Sequence, residues 1–357
     1  MKRLMSAMIA ILLICLVLAG INWQLDRSSR ASQDNTLTIY NWGDYIDPAL
    51  IKKFEKQTGI HVDYQTFDSN EAMLTKLRQG GTNYDVVVPS EYTVSRLKRE
   101  HLLAPLDHAK LPNLQYVSAG LLDQSFDRHN RYSVPYFWGT LGIVYNDRLI
   151  ARHQVQHWRQ LWNPRLRKQL LLIDSARDVF AMALIIDHHS VNTTNPVYLH
   201  QAAHRLHKLA PNVKAVVADE MKMYMEDGEA AAGVTYSGEA REMMDNDPHL
   251  HYLVPSEGSN IWFDNLVIPR RAQHKAEAYR FINFMLEPHN AAQNARYIGY
   301  ATPEPTAKKY LPKSVTNNKA FYPSAKVMKR LHVYSDLPLK DVGTYNDLFL
   351  EFKMLTR

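Results

Sequence analysis

Short apolar runs alternate with amphipathic segments along this chain, and that alternation restricts the fold more than any other feature of the sequence. LTIYNW, at 37–42, reads as a strand. PALIKKFEKQTG follows as a helix, with Pro48 in its first turn and Gly59 at its C-cap. HVDYQTF, at 61–67, is a second strand, and Ser69 caps a helix that runs to Arg78. YDVVV, at 84–88, is a buried strand stopped by Pro89, with a helix over 92–101 behind it. This order predicts a largely parallel sheet with helices on its faces. A long extended stretch, YSVPYFWGTLGIVYN at 132–146, leads into a second unit of the same kind. Its strands are expected at 170–174, 213–218 and 231–237, and its helices at 176–187, 198–209, 219–227 and 238–246. IWFDNLVIP, at 261–269, is a further strand, before an amphipathic helix at 274–286. Two α/β units joined by long extended stretches predict two lobes, with the chain crossing between them more than once. A chain of 357 residues is long enough to give each lobe its own core.

In open α/β sheets, ligands sit beyond the carboxyl ends of strands. Such ends carry Trp42, Asp44 and Tyr45, then Ser90 and Tyr92, then the stretch from Asp174 to Asp178. Tyr236 with Glu239, and Trp262 with Asp264, complete the set. Aromatic rings beside carboxylates suit an organic cation: the carboxylate pairs with an ammonium group, and the ring face attracts it. Each residue also has a purely structural explanation. Tryptophan is a common core residue, and Tyr45 can pack under its loop. Asp44 can cap the helix near Pro48, and Asp178 and Glu239 can complement helix dipoles from first turns. Asp264, between Phe263 and Asn265 in an apolar strand, is the hardest to explain as surface.

The N-terminus differs in kind. Lys2 and Arg3 precede an uncharged apolar run over 4–23, which reads as a secretory signal or as an uncleaved membrane anchor. Val17-Leu18-Ala19 is an acceptable cleavage site and Ser29-Arg30-Ala31 a weaker one. The single cysteine, Cys15, lies within this run behind the bulky Ile14, so the exported part has no disulfide. Residues 1–31 carry four basic residues and one acidic residue. Without them the net charge of +6 falls to +3, with 38 basic against 35 acidic residues. The basic residues are dispersed, which argues against nucleic acid. His200, His204 and His207 have a spacing that suits a metal, and a metal-dependent hydrolase would have to rest on such histidines. They flank the apolar stripe Leu199, Ala203 and Leu206, as a solvated helix edge does. No HExxH, GxSxG, GxGxxG or P-loop is present.

Several longer motifs carry a family resemblance. NWGDY, FDSNEAMLTKL at 67–77, YDVVVPSEY at 84–92 and VPYFWGTLGIVYN at 134–146 resemble the polyamine-binding periplasmic proteins of ABC importers. So do LLLIDSARDVFAMAL at 170–184, EGSNIWFDNLVIP at 257–269 and IGYATPEP at 298–305. The resemblance covers nearly all of 36–357 and is poor from His332 on. It implies the type II periplasmic binding protein fold: two α/β lobes, a hinge and a ligand cleft between them. Carried over, one lobe comprises 36–139 plus 263–308 and the other 140–262 plus 309–357, behind a leader at 1–31. It further implies a monomeric, exported protein without catalysis or cofactor. Such a protein hands putrescine, spermidine or another small organic cation to inner-membrane permease subunits.

Residue by residue, the resemblance places Trp42, Asp44, Tyr45 and Tyr92 on one wall of the cleft. Trp262, Asp264 and Tyr300 stand near the crossover, and Ser175, Asp178, Tyr236 and Glu239 come from the second lobe. There are departures. Spermidine-type members have an acid at the position of Ser175 and a tryptophan at that of Tyr236. Glu239 replaces a small polar residue of those members, where putrescine-type members have an aspartate. A polyamine needs acids for its ammonium groups and flat apolar walls for its methylenes. Its selectivity follows from the spacing of the acids, because a ligand of the wrong length strands a charge.

Overall fold

The computed structural model describes residues 35–218, 220–319 and 321–356. The leader, its cleavage sites and Cys15 lie outside the described residues. Among the described residues no helix is long and apolar enough to cross a membrane.

Strands β1 (Thr36–Trp42), β2 (His61–Phe67) and β3 (Val86–Val87) form a parallel group with β1 in the middle. The helix Pro48–Thr58 links β1 to β2. Asp47 caps its start through Ala49 N, and Gly59, at φ 71°, ends it in the left-handed conformation that favours glycine. The helix Asn70–Gln79 is capped by Ser69, as expected, and leads back to β3. The helix Glu91–Arg99 follows.

Strand β4 (Ser133–Asn146) is buried at every position. Over Ser133 to Thr140 it pairs antiparallel with β9 (Ser259–Val267), which in turn pairs with β3. Over Leu141 to Asn146 it pairs instead with β7 (Ala232–Tyr236) and β8 (Leu250–Leu253). Beyond β7 lie β5 (Leu170–Ile173) and β6 (Val213–Val217), both parallel to their neighbours. The strand order is therefore β2-β1-β3-β9-β4-β7-β5-β6, and one strand serves two sheets. A short β10 (Leu331–His332) pairs with the start of β9. Each half thus mixes parallel strands with an antiparallel one, where the sequence predicts a largely parallel sheet.

The buried side chains divide the same way. Leu37, Phe54, Val86 and Phe281 belong to one cluster, and Tyr40, Leu74, Leu97 and Phe263 to a second on the other face of that sheet. Leu141, Phe180, Leu206 and Tyr345 belong to a third, and Val144, Met221 and Tyr252 to a fourth. Toward the C-terminus, Leu311 joins the first cluster, and Tyr322, Met328 and Val333 pack against the second. From Tyr334 on, including the last helix, Leu339–Thr356, the chain packs into the third.

Candidate ligand site

Asp264 lies on β9 opposite Phe137 and bridges to Ser90, just before the helix Glu91–Arg99. The carboxylate is 7% exposed. Tyr45 Oη donates to its Oδ2 at 2.7 Å and Ser90 Oγ to its Oδ1 at 2.8 Å. Burial raises its pKa to about 6, against the lowering effect of the two hydroxyl donors. Tyr45 is held from behind: its carbonyl accepts from Tyr136 Oη at 2.8 Å.

Asp178 is 3% exposed, in the first turn of the helix Ala176–Ile186. Three hydroxyls donate to it: Ser175 Oγ and Tyr236 Oη to Oδ2, each at 2.6 Å, and Tyr334 Oη to Oδ1 at 2.8 Å. Neighbouring Arg177 turns away, donating to Ser335 O and Asn192 Oδ1 and stacking over the Tyr334 ring at 4.2 Å. Asp178 and Asp264 therefore share a plan. Each is a buried carboxylate served by hydroxyl donors, with no cationic side chain in ion-pair contact among the described residues. A buried anion without a counterion is costly, and hydroxyls meet only part of the cost.

Aromatic rings join the two. Trp262 stands edge-on to Tyr300 at 5.0 Å and to Tyr236 at 6.1 Å, and Tyr300 meets Tyr45 at 5.8 Å. Trp42 packs against Phe67 at 4.6 Å. Neither the Trp42 nor the Trp262 indole N–H has an acceptor among the described residues. Tyr92 Oη accepts from Asn70 at 2.8 Å beside this group. Glycines permit the close approach. A Cβ on Gly139 would lie 2.5 Å from Trp262, and one on Gly238 only 1.8 Å from Tyr300.

Two predicted acids stand apart from this pattern. Asp44 is exposed, at φ 49°, with no side-chain hydrogen bond or ion pair among the described residues. The helix beside it is capped by Asp47 instead. Glu239, in the first turn of the helix Ser237–Asn246, accepts from Tyr300 Oη at 3.2 Å but also pairs with Lys222 Nζ at 2.9 Å.

Two further residues pack into this group and escape the sequence reading. Glu91 is 1% exposed, accepts the Phe263 N–H at 3.0 Å, and is raised by burial to about pKa 8. Its position between Ser90 and Tyr92 was a legible hint. Tyr334 lies where the family resemblance is poorest, and nothing local marks it. His200 and His204 are exposed, and no group of three or more His, Cys, Asp or Glu is arranged to hold a metal among the described residues.

Trp262 and Asp264 lie in the middle of β9 and not at a strand's end as expected, because the apolar run continues to Val267. Tyr45, Asp178 and Tyr236 come from the ends of β1, β5 and β7 or just beyond them. Two lobes sharing a strand, with acids and rings gathered there, define the architecture of solute capture. The chain belongs to the bacterial extracellular solute-binding proteins, whose family model matches residues 49–323. It is similar to the spermidine/putrescine-binding periplasmic protein of Escherichia coli, 38% identical over 91% of this chain and 92% of that one. It is also similar to the putrescine-binding periplasmic protein PotF of the same organism, at 31% identity over 88% and 90% of the two chains. Among solved structures it resembles the spermidine/putrescine ABC transporter substrate-binding protein PotD of Streptococcus pneumoniae, in complex with calcium and HEPES. The TM-score is 0.84, with 50% identity across 90% of this chain and 100% of that one. These relatives are binding proteins, and the hydrolase alternative falls with them.

Proposed function

We propose that this protein captures a polyamine, putrescine or spermidine, between its lobes and delivers it to the permease of an ABC importer. The observation that carries the reading is the pair Asp264 and Asp178, two buried carboxylates without cationic partners among the described residues, at the two ends of an aromatic box. Ammonium groups supply the missing countercharge, and the Trp42, Tyr92, Tyr236, Trp262 and Tyr300 rings receive the methylenes. Tyr45 and Ser175 orient the acids. Asp44 contributes at most a longer-range charge at the rim. We assign one lobe to residues up to about 140 together with about 261–333, and the other to the remainder. The buried clusters favour a last crossing at Val333–Tyr334 over one near 309. The protein acts as an exported monomer that does not bind nucleic acid. Its apolar N-terminus is a cleaved signal or a tether to the inner membrane.

Calorimetry and thermal unfolding with putrescine, spermidine and glutamate test this. A ligand that binds only the closed native state adds about 2.7 kcal/mol at a hundred times its Kd. Either amine should raise the melting temperature and glutamate should not. A shift with glutamate and none with the amines would overturn the cation reading.

A further inference from the structure

Glu239 stands at the edge of the aromatic box, its Oε1 under Tyr300 Oη, yet its Oε2 already holds an ammonium group. That group is Lys222 Nζ, from the helix Glu220–Glu226, which also pairs with Glu242 at 2.5 Å. We propose that Lys222 is an internal ammonium that occupies Glu239 and so biases the cleft toward ligands with two charges over those with three. The proposal rests on the amine-binding reading above. Three acids face the box from its two ends and its edge, but among the described residues only Asp264 and Asp178 of these have no cation in ion-pair contact. A third ligand ammonium must displace Lys222 or remain without a partner, and either outcome penalises a triamine against a diamine.

Lys222 is well placed to act in this way. Its side chain is 28% exposed and that of Glu239 is 31% exposed, so a released lysine has water to enter and the freed carboxylate has room for another amine. Burial alone would lower the Lys222 pKa, but its bonds to Glu242 and Glu239 more than offset this and raise it. The lysine is therefore charged and behaves as a ligand nitrogen would. Tyr300 touches both Glu239 and the ring of Trp262, so an amine seated on Glu239 would lie against the same walls as the rest of the ligand.

Calorimetric titration of putrescine and spermidine into the wild type and into Lys222→Met tests the proposal. Lys222→Gln serves as a second variant, and thermal unfolding checks the fold of both. The ratio of spermidine to putrescine affinity should rise about fivefold, the scale of a freed, partly exposed ion pair. Adding Glu239→Gln should cancel the rise, and adding Glu242→Gln should leave it. A ratio that does not move, or one cancelled equally by Glu242→Gln, overturns the role of Lys222 while amine binding stands. A wild type that binds neither amine overturns the amine reading, and this inference with it.

Discussion

An ordinary aspartate gives up its proton near pH 4, whereas burial keeps the Asp264 proton up to about pH 6. Between those values the native protein holds a proton that the unfolded chain has released. Ligand-free stability from this group therefore falls as pH rises from about 4 to about 6, by roughly 3 kcal/mol in all. Asp264→Asn removes that penalty. Its ligand-free melting temperature should exceed that of the wild type at pH 7.5 and match it at pH 4. The same variant should lose ~2–5 kcal/mol of amine binding, since an ammonium is left without its counterion. Calorimetry beside unfolding scans at the two pH values checks both halves. In the wild type, amine affinity should fall about tenfold for each pH unit below 6, because the ligand must then displace a proton. Affinity that stays flat from pH 7.5 to pH 5 would mean that Asp264 does not meet the ligand. The sequence exposes this residue well, since a lone acid inside IWFDNLVIP has few structural uses. It hides the difference between Glu239 and Asp178, two first-turn acids that look alike until Lys222 is seen on one of them.

Among the elements, those with a clean period were legible. The strand His61–Phe67 stands where the alternation puts it, and the caps Ser69 and Gly59 mark their helix ends. The helix Pro288–Ile298 escaped because asparagines lie on its buried face. Asn290 accepts from Lys53, and Asn294 donates to Tyr136 and accepts from Asp47 N. A polar buried face erases the apolar stripe on which helix recognition depends. Leu339–Thr356 was missed for the opposite reason: Leu339, Leu350, Met354 and Leu355 are exposed, which blurs its stripe. The segment between β10 and that helix brings Tyr334 to Asp178, a contact made across 156 positions of sequence. Tyr334→Phe deletes one of three donors to a buried charge, at a cost of ~1.5–3 kcal/mol. It should lower the melting temperature by several degrees. It should also weaken amine binding, because Asp178 is then held less firmly. Circular dichroism and calorimetry measure the two effects.

For the molecule as a whole, the contact that matters is Tyr300 lying on Gly238. Tyr300 packs with the Leu37 cluster, while Gly238 lies in the first turn of the helix that follows β7 of the other half. A methyl group at Gly238 would overlap the ring, so Gly238→Ala forbids this apposition, and overpacking of this kind costs ~1–3 kcal/mol. The variant should bind amines at least about fivefold more weakly. Its ligand-free melting temperature should change little, because the halves relieve the clash by parting. A large loss of ligand-free stability would instead make Gly238 an ordinary core position.

The shared strand and the late return of the chain also govern how the protein is made. Val87 on β3 has its sheet neighbour at Val267 on β9, and β4 waits for that same strand along half its length. A ribosome must therefore release three quarters of the polypeptide before the N-terminal sheet has its full set of strands. Until then β3 lacks its β9 neighbour and β4 lacks a partner along half its length, so this part of the fold closes late. The interleaving that gathers Asp264 and Asp178 from distant segments also makes completion of the fold wait for strands that are synthesised late.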